Sequence, residues 1–186
     1  MTIRDIIKIT LNLVIVYIIG GIILAAVYAR TSPIIYRNTV KEKETALKKL
    51  MPRADSIQRM GEWITHEKHA EYFIAKKDKQ IIGYIIESFG KGYSSYIDTL
   101  IAVDTDLRVL NISILGHAET PGLGDEIESE SFRNQFAGKD IEHLKVLKTD
   151  TKDYIQAISG ATISTRAVAE DAVTNGVNFL KKTLNE

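Results

Sequence analysis

Residues Ile9–Ala29 read ITLNLVIVYIIGGIILAAVYA, 21 consecutive residues without a charge between Lys8 and Arg30. At 1.5 Å per residue such a helix spans roughly 30 Å, the hydrocarbon thickness of a bilayer. Its polar members are few: Thr10, Asn12, Tyr17 and Tyr28. Val27-Tyr28-Ala29 would serve as a signal cleavage site, but the run exceeds the usual apolar region of a secretory signal, about 7–15 residues, and is read as a retained anchor. Gly21 and Ala25 lie four apart, a spacing that suits either helix packing or lipid. Charge does not fix the orientation: Arg4 and Lys8 precede the span, and Arg30, Arg37, Lys41 and Lys43 follow it. A long domain after the span translocates largely regardless of such charges.

Outward from the anchor, Ser32-Pro33 has the form of an N-cap and first-turn proline, and apolar residues recur at Val40, Leu47, Leu50 and Met51 before Pro52. The organisation expected is a short N-terminal segment 1–8, a transmembrane helix 9–29, a membrane-proximal linker helix 30–52 and one domain, 53–186. Within the domain, strands are expected at Glu71–Lys76, Gln80–Phe89, Ile97–Asp104 and Leu107–Leu115, the last two joined by a Thr105-Asp106 turn. Helical patterns cover Ser129–Phe136 and Ile163–Leu184, the latter with a stripe of Val168, Ala172, Val173, Val177 and Leu180. The class is α+β, an antiparallel sheet closed by a C-terminal helix.

Composition narrows the chemistry. The 186 residues hold 24 basic and 24 acidic side chains, a formal net charge of zero. A protein that neutralises nucleic-acid phosphates carries a basic excess, so nucleic acid is not the expected partner. Cysteine is absent, which removes disulfides, iron–sulfur clusters and thiolate zinc sites. Any redox chemistry needs another cofactor. The four histidines, His66, His69, His117 and His143, show no metal-ligand spacing and are read as surface or structural, with no metal site expected.

Three stretches are too rich in glycine and polar residues for ordinary connectors: Gly90–Ser95, His117–Gly124 and Ser159–Thr165. The third opens the long C-terminal helix, where free N–H groups and the positive dipole end favour a phosphate. Thr162 puts a hydroxyl there and Arg166 follows one turn later. On spacing alone, Ser159, Thr162 or Ser164 serves equally well as a helix cap. Likewise the second stretch reads as a Pro-Gly turn and the first as a hairpin loop. Tyr93 is placed either on a bound ring or on the sheet, Trp63 in the core or an interface, and Lys139 on the solvated surface.

Taken together, His117-x-Glu-Thr-Pro-Gly-Leu-Gly124 and the downstream Ser-Gly-Ala-Thr162 resemble the FMN-binding domain shared by two membrane complexes. These are the G subunit of the Rnf electron-transport complex and the C subunit of the sodium-translocating NADH:quinone reductase. The resemblance covers nearly the whole chain, and the length suits the shorter Rnf G subunit. It implies FMN held by a phosphoester bond to Thr162, installed by a flavin transferase that uses FAD as donor. It also implies cofactor-binding roles for Ser159, Gly160, Ala161, Glu119, Thr120, Gly122, Leu123, Gly124 and Tyr93. No residue of this chain is catalytic in that picture, since the flavin carries the electrons.

The same resemblance implies a subunit of a ferredoxin:NAD-type oxidoreductase and translocase that moves Na⁺ or H⁺, incomplete without its membrane and peripheral partner subunits. Segment 1–8 would be cytoplasmic and the domain extracytoplasmic, anchored in the lipid of the bacterial cytoplasmic (inner) membrane. Gln156 departs from the family's transferase motif, which has an acid six positions before the threonine. That departure favours the alternative, an anchored extracytoplasmic binding or assembly module without a cofactor.

Overall fold

The computed structural model describes residues 3–185. Residues 1 and 2 of the expected cytoplasmic segment, and residue 186 of the expected domain, lie outside the described residues. The uncharged stretch and the linker belong to one helix, α1 (Ile3–Leu50), which runs unbroken through Pro33. Ser32-Pro33 therefore opens no new helix. A proline inside a helix forfeits one N–H bond and about 3 kcal/mol of propensity. Thr31 and Thr39 flank it with hydroxyls that donate back to Val27 O at 2.9 Å and Ile35 O at 3.2 Å. A window of α1 has a mean hydropathy of 2.5 with none of it buried, long and apolar enough to cross a membrane. The chain divides after Glu42 into two units, and the last turns of α1, from Lys43, belong to the second.

The second unit is built on an antiparallel meander in sequential order: β1 (Ser56–Thr65), β2 (Lys68–Lys77), β3 (Gln80–Lys91), β4 (Tyr96–Val103) and β5 (Val109–Gly116). The last four fall where the apolar runs place them, although β2 starts three residues earlier than expected. Strand β1 escaped the sequence reading because SIQRMGEWIT is an edge strand with mostly exposed positions. Its hairpin to β2 lacks the Asn-Gly or Asp-Gly signal as well. His66 and Glu67 supply the two positive φ angles of that turn, 48° and 61°, without glycine.

Beyond the sheet come a short helix, α2 (Glu130–Arg133), and a small parallel pair, β6 (Val146–Leu147) with β7 (Ile155–Gln156). The closing helix has three parts: α3 (Thr162–Arg166), a π-helical segment Ala167–Val173, and α4 (Thr174–Asn185).

Strand alternation sends Ile86, Ile97, Ile101 and Ile112 to one face, where Val168, Val173, Val177 and Leu180 of the closing helix cover them. Trp63 packs at this face, stacked on Phe179 at 4.6 Å, and its Nε1–H donates to Glu87 O at 2.9 Å. The other face carries Phe73, Ala75, Ile85, Leu100 and Ala102 beneath Ala46, Leu47, Leu50 and Met51. Lys43 anchors that packing through Nζ, which lies 2.6 Å from Glu71 Oε2 and 2.8 Å from Glu87 Oε2.

Nearby on β4, Asp98 Oδ1 is buried without a hydrogen-bond partner among the described residues. Burial, reinforced by the charge of Glu87, pushes this carboxyl up from 3.8 to about 7 against the pull of Lys43 and Lys68. The folded chain therefore holds the proton more tightly than the unfolded one. The stabilisation is fully present below 3.8 and is lost as pH rises through about 7. Melts of the full chain in detergent should show Tm falling between about pH 4 and about pH 7 and levelling off above, and Asp98→Asn should flatten that slope and raise Tm at the upper end. An unchanged slope in Asp98→Asn would place the pH dependence elsewhere.

Candidate functional site

Three loops meet at one end of the sheet. The first, Gly92–Ser95, links β3 to β4 and is closed by Gly92 N–H donating to Ser95 O at 2.9 Å. The second leaves β5 and folds tightly, with Thr120 O accepting from the N–H groups of Leu123 at 3.2 Å and Gly124 at 2.9 Å. The third leads from β7 to α3. There Ala161 N–H donates to Ile158 O at 3.0 Å, and Thr165 N–H donates to Ala161 O at 3.0 Å as the first helical bond.

A single carboxylate ties the three together. Glu119 is 5% exposed. Its Oε2 accepts from Tyr93 N–H at 3.2 Å and Oε1 from Ser94 N–H at 3.0 Å, with Ser95 N–H a further donor. The Ser164 hydroxyl donates to the same Oε2. Burial opposes ionisation, but the Ser164 hydroxyl and the three backbone donors outweigh it and hold the carboxyl below the ordinary range. The loop behind it is set by His117, whose Nδ1 accepts from Glu119 N–H at 3.1 Å. Because Nδ1 accepts, Nε2 carries the hydrogen and donates to Glu128 Oε1 at 3.0 Å.

A pocket of about 550 Å³ opens where the loops converge. Eight of the ten residues singled out from the sequence line it: Tyr93, Glu119, Thr120, Leu123, Gly124, Gly160, Ala161 and Thr162. Ser159 and Gly122 do not. Ile163 and Ser164 do, and the sequence reading missed them as site residues: Ser164 passed for a helix cap and Ile163 for part of the helix. Tyr93, Leu123 and Ile163 are 72%, 46% and 53% exposed, an apolar rim around a polar floor. Two further grooves, of about 560 and 620 Å³, flank the Leu50–Pro52 corner and contain none of the candidate residues.

The capping alternative fails on the hydroxyls. The N-cap is Ala161, which offers no side-chain acceptor. Instead, the fully buried Thr165 accepts from Ile158 N–H at 3.1 Å and donates to Ala161 O at 2.9 Å. Ser164 is bound to Glu119, and Thr162, half-buried, has no hydrogen-bond partner among the described residues. Arg166 is exposed, pairs with Glu170 at 3.7 Å and does not line the pocket. Lys139 is not merely solvated: its Nζ donates to Lys152 O and Asp153 O, both at 2.8 Å, and so fastens the segment before β7. Among the described residues no group of three or more His, Cys, Asp or Glu side chains could hold a metal ion.

Residues 92–178 match the family model described as the FMN-binding domain. The G subunit of the proton-translocating ferredoxin:NAD⁺ oxidoreductase complex of Clostridium ljungdahlii is 38% identical over 90% of this chain and 88% of its own length. The chain belongs to the G-subunit family of Rnf-type, ion-translocating oxidoreductase complexes. A more distant G subunit, from Methanosarcina acetivorans, is 25% identical over 95% of each chain. The C subunit of the Na⁺-translocating NADH-quinone reductase from Parabacteroides distasonis, a solved structure, superposes on this G subunit with a TM-score of 0.55. It is 27% identical and covers 76% of this chain and 82% of its own. The NqrC structure from Shewanella oneidensis has the same fold, at a TM-score of 0.52 over 61% of this chain and 62% of its own.

The two glycines of the second loop do different work. Gly122 has φ of +74° with open space around it, so its role is the turn itself. A Cβ on Gly124 would lie 2.7 Å from Glu119 Cβ and 3.0 Å from Ser164 Oγ, so its role is close approach. Gly122→Ala should cost about 1 kcal/mol of stability, the strain of a left-handed alanine. Gly124→Ala should cost more, because the Glu119–Ser164 contact must open. Thermal melts of the two variants without flavin decide this, and equal losses would contradict it.

Proposed function

We propose that this chain is a single-pass, membrane-anchored electron-relay subunit that carries FMN on Thr162 through a phosphoester bond. What supports this is the state of three hydroxyls within four residues. Ser164 and Thr165 are committed to protein acceptors, whereas Thr162 lines the pocket with its hydroxyl uncommitted among the described residues. The pocket suits the group: Leu123, Ile163 and Tyr93 offer apolar surface to a flat ring, and Gly160 and Ala161 leave the backbone open beside Thr162. The N–H groups of Thr162, Ile163 and Ser164 precede the first helical bond, and among the described residues no side chain caps them. Those donors, with the helix dipole, would face the one negative charge that a phosphodiester retains.

When bound, the flavin supplies the electron chemistry. The chain's own residues would hold its phosphate, support one face of its ring and leave the rest open to partners. A covalent link keeps a cofactor from being lost through so open a pocket. The matched relatives are named as subunits of proton- or Na⁺-translocating ferredoxin:NAD⁺ oxidoreductase complexes. By membership we assign this chain the same setting. It would pass electrons between partner subunits of a complex that couples ferredoxin–NAD electron transfer to Na⁺ or H⁺ movement. Helix α1 would span the lipid of the cytoplasmic membrane, and the domain would face the extracytoplasmic side, where a flavin transferase loads it from FAD.

One observation favours the cofactor-free module. Gln156 stands where the transferase motif has an acid, and its N–H is tied to Gln135 Oε1 at 2.7 Å. The two readings part on Thr162. After co-expression with a flavin transferase, intact mass spectrometry of the wild type should show an added FMN less one water. Thr162→Val, close in volume but without the hydroxyl, should show none while melting near the wild-type temperature of the flavin-free chain. Flavin retained on Thr162→Val would refute the attachment site.

A further inference from the structure

We propose that Glu119 is a positioning residue that selects Thr162 over its neighbours as the acceptor hydroxyl, an inference that rests on the FMN reading above. The first turn of α3 presents three hydroxyls, Thr162, Ser164 and Thr165, within one stretch that a transferase must distinguish. Thr165 is excluded by full burial and two backbone bonds. Ser164 is not excluded by place, since it lines the pocket. It is withdrawn by its bond to Glu119 Oε2, which leaves it 2% exposed and pressed toward Gly124.

The same carboxylate holds Tyr93 and Ser94 through their N–H groups. It therefore fixes the Tyr93 wall of the pocket as well as the helix turn that carries Thr162. A buried carboxylate with four donors moves little, because each charge-assisted bond would have to be broken against burial. Sequence alone gave no hint of this coupling, since Glu119 and Ser164 are 45 positions apart.

In the loading step, Thr162 Oγ1 bonds to the phosphorus on the FMN side of the pyrophosphate of FAD, and its proton passes to solvent or to the departing AMP phosphate. The pyrophosphate P–O bond breaks and AMP departs. No electron is gained or lost, so no oxidant or reductant is needed. Glu119 touches neither bond. It sets which oxygen is presented.

The test uses the full chain in detergent, purified without flavin and incubated with FAD and a flavin transferase. In-gel fluorescence follows the rate, and fragmentation mass spectrometry of the digested chain locates the phosphoester. Wild type should load on Thr162 alone. Flavin on wild-type Ser164 overturns the proposal, whereas no flavin anywhere overturns the FMN reading on which it rests. Glu119→Ala, which removes all four bonds of the carboxylate, should load Thr162 at least about tenfold more slowly, since one charge-assisted hydrogen bond alone is worth about that factor, and should place part of the flavin on Ser164. Glu119→Gln, which still accepts from Ser164, should restore exclusive Thr162 attachment.

A Glu119→Ala chain that loads Thr162 alone at the wild-type rate overturns the proposal. So does one that loses flavin from Thr162 without gaining it on Ser164, the signature of a merely structural role. If Glu119→Ala does not fold, Ser164→Ala decides: it keeps the Tyr93–Ser94 clasp and frees the helix turn. Slower loading, confined to Thr162 and with unchanged melting of the flavin-free chain, supports the proposal, and an unchanged rate overturns it.

Discussion

The buried carboxylate of Glu119 is the constraint around which the pocket is arranged. Removing a carboxylate from water is unfavourable unless donors replace the lost solvation. Here the donors come from elsewhere in the chain: backbone N–H groups of the loop after β3 and a hydroxyl from the first turn of α3. Their combined pull keeps the group charged despite its burial. The loops they belong to cannot separate without stranding that charge. Three segments that look independent in sequence therefore act as one rigid surface, and Gly124 is small because its backbone must come close to that contact.

The rest of the fold delivers those loops to one place. A sequential meander puts the β3–β4 connection and the end of β5 at the same end of the sheet. The closing helix lies across one face, with its first turn at that end and an apolar stripe from Val168 to Leu180 in the core. Its π-helical segment brings Asp171 to the end of β3, where Lys91 N–H donates to Asp171 Oδ2 at 2.9 Å. Packing of the final turns of α1 on the other face leaves the pocket edge uncovered. On the proposed reading, the open edge is where partner subunits exchange electrons with the flavin.

Much of this was legible because it depends on local chemistry. Uncharged length marked α1, β-branched runs marked β3 to β5, and the 3.6-residue stripe marked the closing helix. Glycine and hydroxyl clusters marked the three loops, and most of the residues named from them line one pocket. What stayed hidden depends on partners far apart in the chain. Strand β1 is recognisable only by its pairing with β2, since few of its side chains are buried. The roles of Ser164 and Lys139 follow from bonds to Glu119 and to the backbone of Lys152 and Asp153, which no spacing rule encodes. Gly122 and Gly124 looked alike in sequence, and only the backbone angles and neighbours separate a turn glycine from a contact glycine.

The central claim is that one hydroxyl of this chain carries the flavin. Its most direct test is fragmentation mass spectrometry of the tryptic peptide Asp153–Arg166 from wild-type protein purified from membranes that contain the assembled complex. That peptide holds Ser159, Thr162, Ser164 and Thr165 together, so the fragment ions choose among them. The account predicts FMN phosphate on Thr162 and on no other residue. A peptide recovered only unmodified, or modified at a serine, would contradict it.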